Sequence, residues 1–84
     1  MSQLAKLEAS VRANVRAARL PDLLRVLEGA GFTCRRGRRG HWVCVHLPSG
    51  ARCNVPEPHG GGESFVRPTY VRDALQALDE SRQS

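Results

Sequence analysis

The chain has almost no lysine. Lys6 is the single lysine among 13 cationic residues, and the other twelve are arginine. Aromatic residues are equally scarce, with two Phe, one Trp and one Tyr in 84 residues. No stretch approaches the ~20 consecutive apolar residues of a membrane-spanning helix, and the first residues carry no targeting pattern. Cysteine is limited to Cys34, Cys44 and Cys53. An odd count without Cys-x-x-Cys argues against a disulfide framework and against the paired ligands of a structural zinc site, and it points to reduced thiols in the cytoplasm. Acidic residues are outnumbered eight to 13, leaving a net charge of +5.

The arginine bias is the first positive signal. A guanidinium forms two parallel hydrogen bonds with a phosphate and stacks on bases, which an ammonium does not do. Nucleic acid is therefore the first partner to weigh. A GC-rich genome, which favours arginine codons, would account for the same bias by itself. At 84 residues the chain is one domain, 1–84, burying only about 60% of its unfolded surface.

Apolar periodicity predicts the elements. Leu4, Leu7, Val11, Val15 and Ala18 fall on one stripe, which predicts a helix over 3–18 as a lead-in to a core of 20–79. This stripe either packs on its own domain, the preferred reading, or serves a dimer or partner contact. Pro21 and Asp22 open a second helix over 21–29, and Gly29 and Gly31 stop it. Three short strands follow, at 32–36, 42–47 and 51–55, the last ended by Pro56 and the last two joined through Pro48, Ser49 and Gly50. A loop with three consecutive Gly leads to a final helix from Pro68 or Thr69, with Tyr70, Val71, Ala74, Leu75 and Leu78 on its buried face and residues 80–84 frayed. The order α-α-β-β-β-α predicts an α+β fold: a three-stranded antiparallel sheet with helices on one face. Double-stranded-RNA-binding domains use that layout.

Several side chains could carry chemistry. His41 follows a glycine at the start of a strand, where an exposed imidazole can exchange protons with a substrate hydroxyl; the plain alternative is a surface histidine. Arg35, Arg36, Arg38 and Arg39 crowd around Gly37 with no acid nearby in sequence. That density fits a grip on backbone phosphates, with Arg38 or Arg39 placed to stabilise charge on phosphorus; the alternative is a solvated turn. His59 is a second proton-transfer or RNA-contacting candidate, or a loop-structuring residue. Gly60-Gly61-Gly62 would let a backbone approach a phosphate. Trp42 alternates with His41 and is read as core beneath the helices, with base stacking as the alternative. Cys34, Cys44, Cys53, His41 and His46 allow a zinc site in principle, but buried apolar thiols are the better reading.

Four segments together resemble the HicA toxin family: RLPDLLRVLEGAGF at 19–32, RRGRRGHWVCVHLPSGARCNVP at 35–56, HGGGE at 59–63 and VRPTYVRDAL at 66–75. The family pattern is a helix ending in Gly-Phe, a strand, a Gly-Ser-His opening the second strand, a turn, a third strand ending in Val-Pro, a His-Gly-Gly-Lys loop and a Lys-Pro opening the last helix. The resemblance implies a fold like that of double-stranded-RNA-binding domains. It further implies a metal-independent endoribonuclease acting on mRNA in the cytoplasm, with no cofactor, neutralised by a HicB-like antitoxin. His41 would be the catalytic base, and Arg35, Arg36, Arg38, Arg39, Gly40, His59 and Arg67 would bind RNA. The chain departs from the pattern in three places: the Ser is missing before His41, Gly62 replaces the loop Lys, and Arg67 replaces the Lys before Pro. The distance from His41 to the Pro48-Ser49-Gly50 turn is also one or two residues long, to be absorbed by a bulge or a longer hairpin. These departures keep open a non-catalytic RNA- or protein-binding regulator on the same scaffold.

Overall fold

A computed structural model describes residues 2–58 and 64–83. The elements run α1 (Gln3–Ala13), α2 (Leu20–Gly29), β1 (Thr33–Arg36), β2 (His41–Val45), β3 (Arg52–Pro56) and α3 (Pro68–Gln83). The fold is α+β, with one antiparallel sheet in the order β1-β2-β3. Among the described residues no helix is long and apolar enough to cross a membrane.

α1 starts where the Ser2 hydroxyl accepts the Ala5 N–H at 3.1 Å. It is shorter than the apolar stripe predicts. Asn14 leaves helical geometry (φ −139°, ψ 73°), and Val15–Ala17 form a single 3-10 turn. Asparagine competes for backbone hydrogen bonds and is a weak helix former. The break turns the chain so that Ala18 is buried and its carbonyl accepts the Val66 N–H at 2.8 Å. α1 packs within its own domain: Val11 is buried, Leu7 and Val15 are half-buried, and Leu4 remains 44% exposed.

α2 carries Pro21 in its first turn, where the missing N–H is harmless. Its end is a Schellman motif: Phe32 N–H donates to the Leu27 carbonyl and Gly31 N–H to that of Glu28, with Gly31 at φ +98°. The buried Phe32 and Leu27 supply the apolar contact that this motif favours.

The strands sit within two residues of their predicted bounds, the largest difference being β2, which ends at Val45 and not at Leu47. Both registers are continuous, from Thr33↔Val45 to Arg36↔Trp42 and from His41↔Pro56 to Val45↔Arg52. No bulge absorbs the extra length after His41. The β2–β3 loop does so, closed by His46 N–H to the Ala51 carbonyl and Gly50 N–H to the His46 carbonyl, both at 2.8 Å. Alternation puts Cys44, Cys53 and Val55 on the covered face with the fully buried Leu23, Leu27, Val71 and Leu78. Thr33, Arg35, His41, Val43, Val45, Arg52 and Asn54 fall on the other.

The predicted fraying at 80–84 is corrected through residue 83. α3 continues to Gln83, Ser81 is buried, and Arg82 forms a two-pronged ion pair with Glu8 of α1 at 2.6 and 2.8 Å. Ser84 lies outside the described residues.

Candidate functional site

The site is assembled at the end of the sheet where β2 begins and β3 ends. β1 and β2 join through a tight turn in which Arg39 (φ 61°, ψ 24°) and Gly40 (φ 72°) are both left-handed and His41 N–H donates to the Arg38 carbonyl. Two left-handed central residues define a type I′ turn, whose twist matches that of the flanking strands. Gly40 suits its position. Arg39 pays a conformational penalty there, because a β-carbon disfavours that region. Gly40 is also a close approach: a β-carbon at that residue would lie 2.7 Å from Glu57 Oε2.

This turn delivers His41, exposed, at the head of β2. A cleft of about 380 Å³ opens beside it, lined by His41, Pro56, Glu57, Pro58, Phe65, Arg67 and Tyr70. The candidates His41 and Arg67, 26 residues apart in sequence, thus share one recess. Gly40 is buried behind it and holds the Glu57 N–H through its carbonyl at 2.8 Å. His59 and Gly60-Gly61-Gly62 lie outside the described residues.

The arginine cluster does not act as a unit. Glu57 reaches Arg36 from 21 residues away, with Nε to Oε1 at 2.7 Å and Nη2 to Oε2 at 3.3 Å, and accepts the Trp42 Nε1–H at 3.0 Å. The hydrogen bond from Arg36, then that from Trp42, holds the Glu57 carboxyl below the usual carboxylate range. Arg36 is therefore committed to an internal acid, contrary to the absence of acids nearby in sequence. Among the described residues, no acid lies within ion-pair distance of Arg35, Arg38, Arg39 or Arg67. Trp42 packs against the core with its indole N–H occupied, which suits a core residue and not a stacking surface.

Other candidates have structural roles. The His46 ring packs on Phe32 with centroids 5.3 Å apart, and its Nδ1 lies 2.7 Å from the Ser49 hydroxyl oxygen and 3.3 Å from the Ser49 backbone nitrogen. Cys34, Cys44 and Cys53 stand in one row across the three strands. Hydrogen bonding to Cys34 and Cys53, together with burial, pushes the Cys44 thiol well above its ordinary range, so it behaves as a small apolar side chain. Among the described residues, no group of three or more His, Cys, Asp or Glu is arranged to hold a metal ion.

Sequence reasoning missed Glu57, Phe65 and Arg19, and read Tyr70 only as core. Glu57 was accessible in principle, since a meander that pairs His41 with Pro56 sets residue 57 opposite Gly40. Phe65 is 46% exposed, with the Arg19 guanidinium over its ring at 5.8 Å from the centroid. That contact depends on the Ala18–Val66 hydrogen bond, which no local pattern announces. Comparison with protein-family models, curated proteins and solved structures found no match.

Proposed function

We propose that the chain is a HicA-like toxin: a metal-independent endoribonuclease acting on mRNA, neutralised by a HicB-like antitoxin that covers its basic surface. The observation that carries this reading is the cleft shared by His41 and Arg67, directly after a turn whose arginines Arg38 and Arg39 are unpaired among the described residues. In the reaction, His41 accepts the proton of a ribose 2′-OH as that oxygen bonds to the adjacent phosphorus. The bond from phosphorus to the 5′ oxygen breaks, the leaving oxygen takes a proton from solvent water, and the products are a 2′,3′-cyclic phosphate and a 5′-OH. Arg67 neutralises the charge that accumulates on the non-bridging phosphoryl oxygens. The open sheet face, with Val43 and Val45 half-buried between Arg35 and Arg52, is a suitable surface for the antitoxin.

The test is cleavage of RNA by purified protein without divalent metal, with end-group analysis of the products. Wild type yields cyclic-phosphate ends. His41→Ala, at an exposed position, keeps its melting temperature and loses cleavage by about 100-fold or more, the range a general base supplies. Equal cleavage by both proteins sinks the assignment of His41.

A second reading is a non-catalytic RNA- or protein-binding regulator on the same scaffold. Glu57 favours it, because a carboxylate in the cleft repels an incoming phosphate. Under that reading wild type retains RNA and does not cut it, and Glu57→Gln binds RNA more tightly while remaining inactive.

A further inference from the structure

We propose that the cleft takes an unpaired nucleotide, with its base stacked on Phe65 and its phosphate held by Arg67, so that the ligand class is single-stranded rather than duplex RNA. This rests on RNA being the partner of the site.

The lining decides between the two forms. Phe65, Tyr70, Pro56 and Pro58 give the recess apolar walls, while Arg67, His41 and Glu57 contribute its polar groups, the Glu57 carboxylate being already engaged by Arg36 and the Trp42 indole N–H. At about 380 Å³ it falls within the range of small-ligand pockets, about 300–1,000 Å³. Duplex RNA offers phosphates and 2′-hydroxyls on a convex surface and keeps its bases stacked inside; single strands splay bases onto aromatic side chains. A phosphate grip alone needs arginines and no aromatic recess. The two phenylalanines make the same point, since Phe32 is 4% exposed and Phe65 46%. Phe65 is also held in place. The Val66 N–H is fixed to the Ala18 carbonyl, and Arg19 lies over the ring, adding a cation beside the stacking platform. Trp42, next to His41 in sequence, has its indole N–H bonded to Glu57.

The experiment uses the full chain with a 2′-O-methyl RNA oligomer carrying 2-aminopurine, which cannot be cut through the 2′ oxygen, and a blunt duplex of the same length. The single strand is expected to bind at least about tenfold tighter, with 2-aminopurine emission quenched on binding. Phe65→Ala is expected to lose about 5- to 100-fold in single-strand affinity, as base–aromatic stacking supplies, and to lose the quenching. Its duplex binding and melting temperature stay unchanged, and Phe65→Tyr restores the single-strand preference. Duplex binding as tight as single-strand binding, an equal loss on both forms in Phe65→Ala, or no binding of either overturns the proposal. The readout does not involve cleavage. A chain that binds single strands and cuts nothing refutes the ribonuclease and leaves the cleft assignment standing; one that cuts but binds both forms equally does the reverse.

Discussion

The two ends of α3 carry opposite electrostatic arrangements. At its C-terminal end Glu8, Arg12, Asp79 and Arg82 form one chain of ion pairs, with Arg12 reaching Glu8 at 3.0 Å and Asp79 at 2.7 Å, and Arg82 reaching Glu8 at 2.6 Å. At its N-terminal end Arg67 faces the cleft, and Arg38 and Arg39 stand on the nearby turn with no acid paired to them among the described residues. The same residue type thus serves two purposes. Paired arginines fasten α1 to α3; those without an acid partner among the described residues leave their guanidinium donors open to an anion. The difference separates the positions whose loss should affect stability from those whose loss should affect binding.

The largest expected effect falls at the unpaired end. Arg38→Ala combined with Arg39→Ala should weaken single-stranded RNA binding by about 100-fold, as two lost charge-assisted contacts imply, and flatten the salt dependence of log K by about 1.4. Melting temperature should not fall. A matching loss of stability would erase the distinction between the two ends.

Arg12→Ala is the reciprocal experiment. It should cost about 1 kcal/mol, because each half-exposed pair supplies only a fraction of that, and lower the melting temperature by about 4–8 °C with RNA affinity unchanged. Acid titration sharpens the same point. The hydrogen bond from Arg82, then that from Arg12, against an opposing burial effect, holds the Glu8 carboxyl at about 2 instead of 4.5. A lowered carboxyl stabilises the fold fully above its unfolded value, and that contribution disappears as pH falls from about 4.5 through about 2. Thermal melts should show this loss in wild type, and Glu8→Gln should be less stable at neutral pH and lack that component of the acid decline.

The smallest effect concerns the turn. Arg39→Asn replaces a side chain that resists φ 61° with one that tolerates it, and should raise the denaturation midpoint by the equivalent of about 0.5–1 kcal/mol. Wild type and variant having equal stability would mean that the left-handed geometry costs nothing there.

The fold was legible wherever the signal was local. Alternation in Trp42 to Val45, the Gly-Ala-Gly-Phe helix stop and Pro68 at a helix start each give their element from a few neighbouring residues. α1 was overextended because the stripe from Leu4 to Ala18 keeps helical spacing across Asn14 while the chain leaves the helix to meet Val66. The site was legible in part. His41 and Arg67 were recognised as candidates, but their shared recess depends on strand register. Arg36 was misgrouped because its acid, Glu57, is close only after two hairpins have formed. Phe65 gave no periodic signal at all, since its importance comes from exposure, a property of the folded surface.

The ion pairs between Glu8 and Arg82 have a geometric consequence. α3 begins at the cleft with Pro68 and reaches Arg82, one of the residues that hold α1, near its far end, about 21 Å away at the helical rise. Ser2 and Arg82 therefore border one shallow recess, about two helix diameters from the cleft. A fluorophore attached at Ser2 can be placed there to report on the cleft without obstructing it.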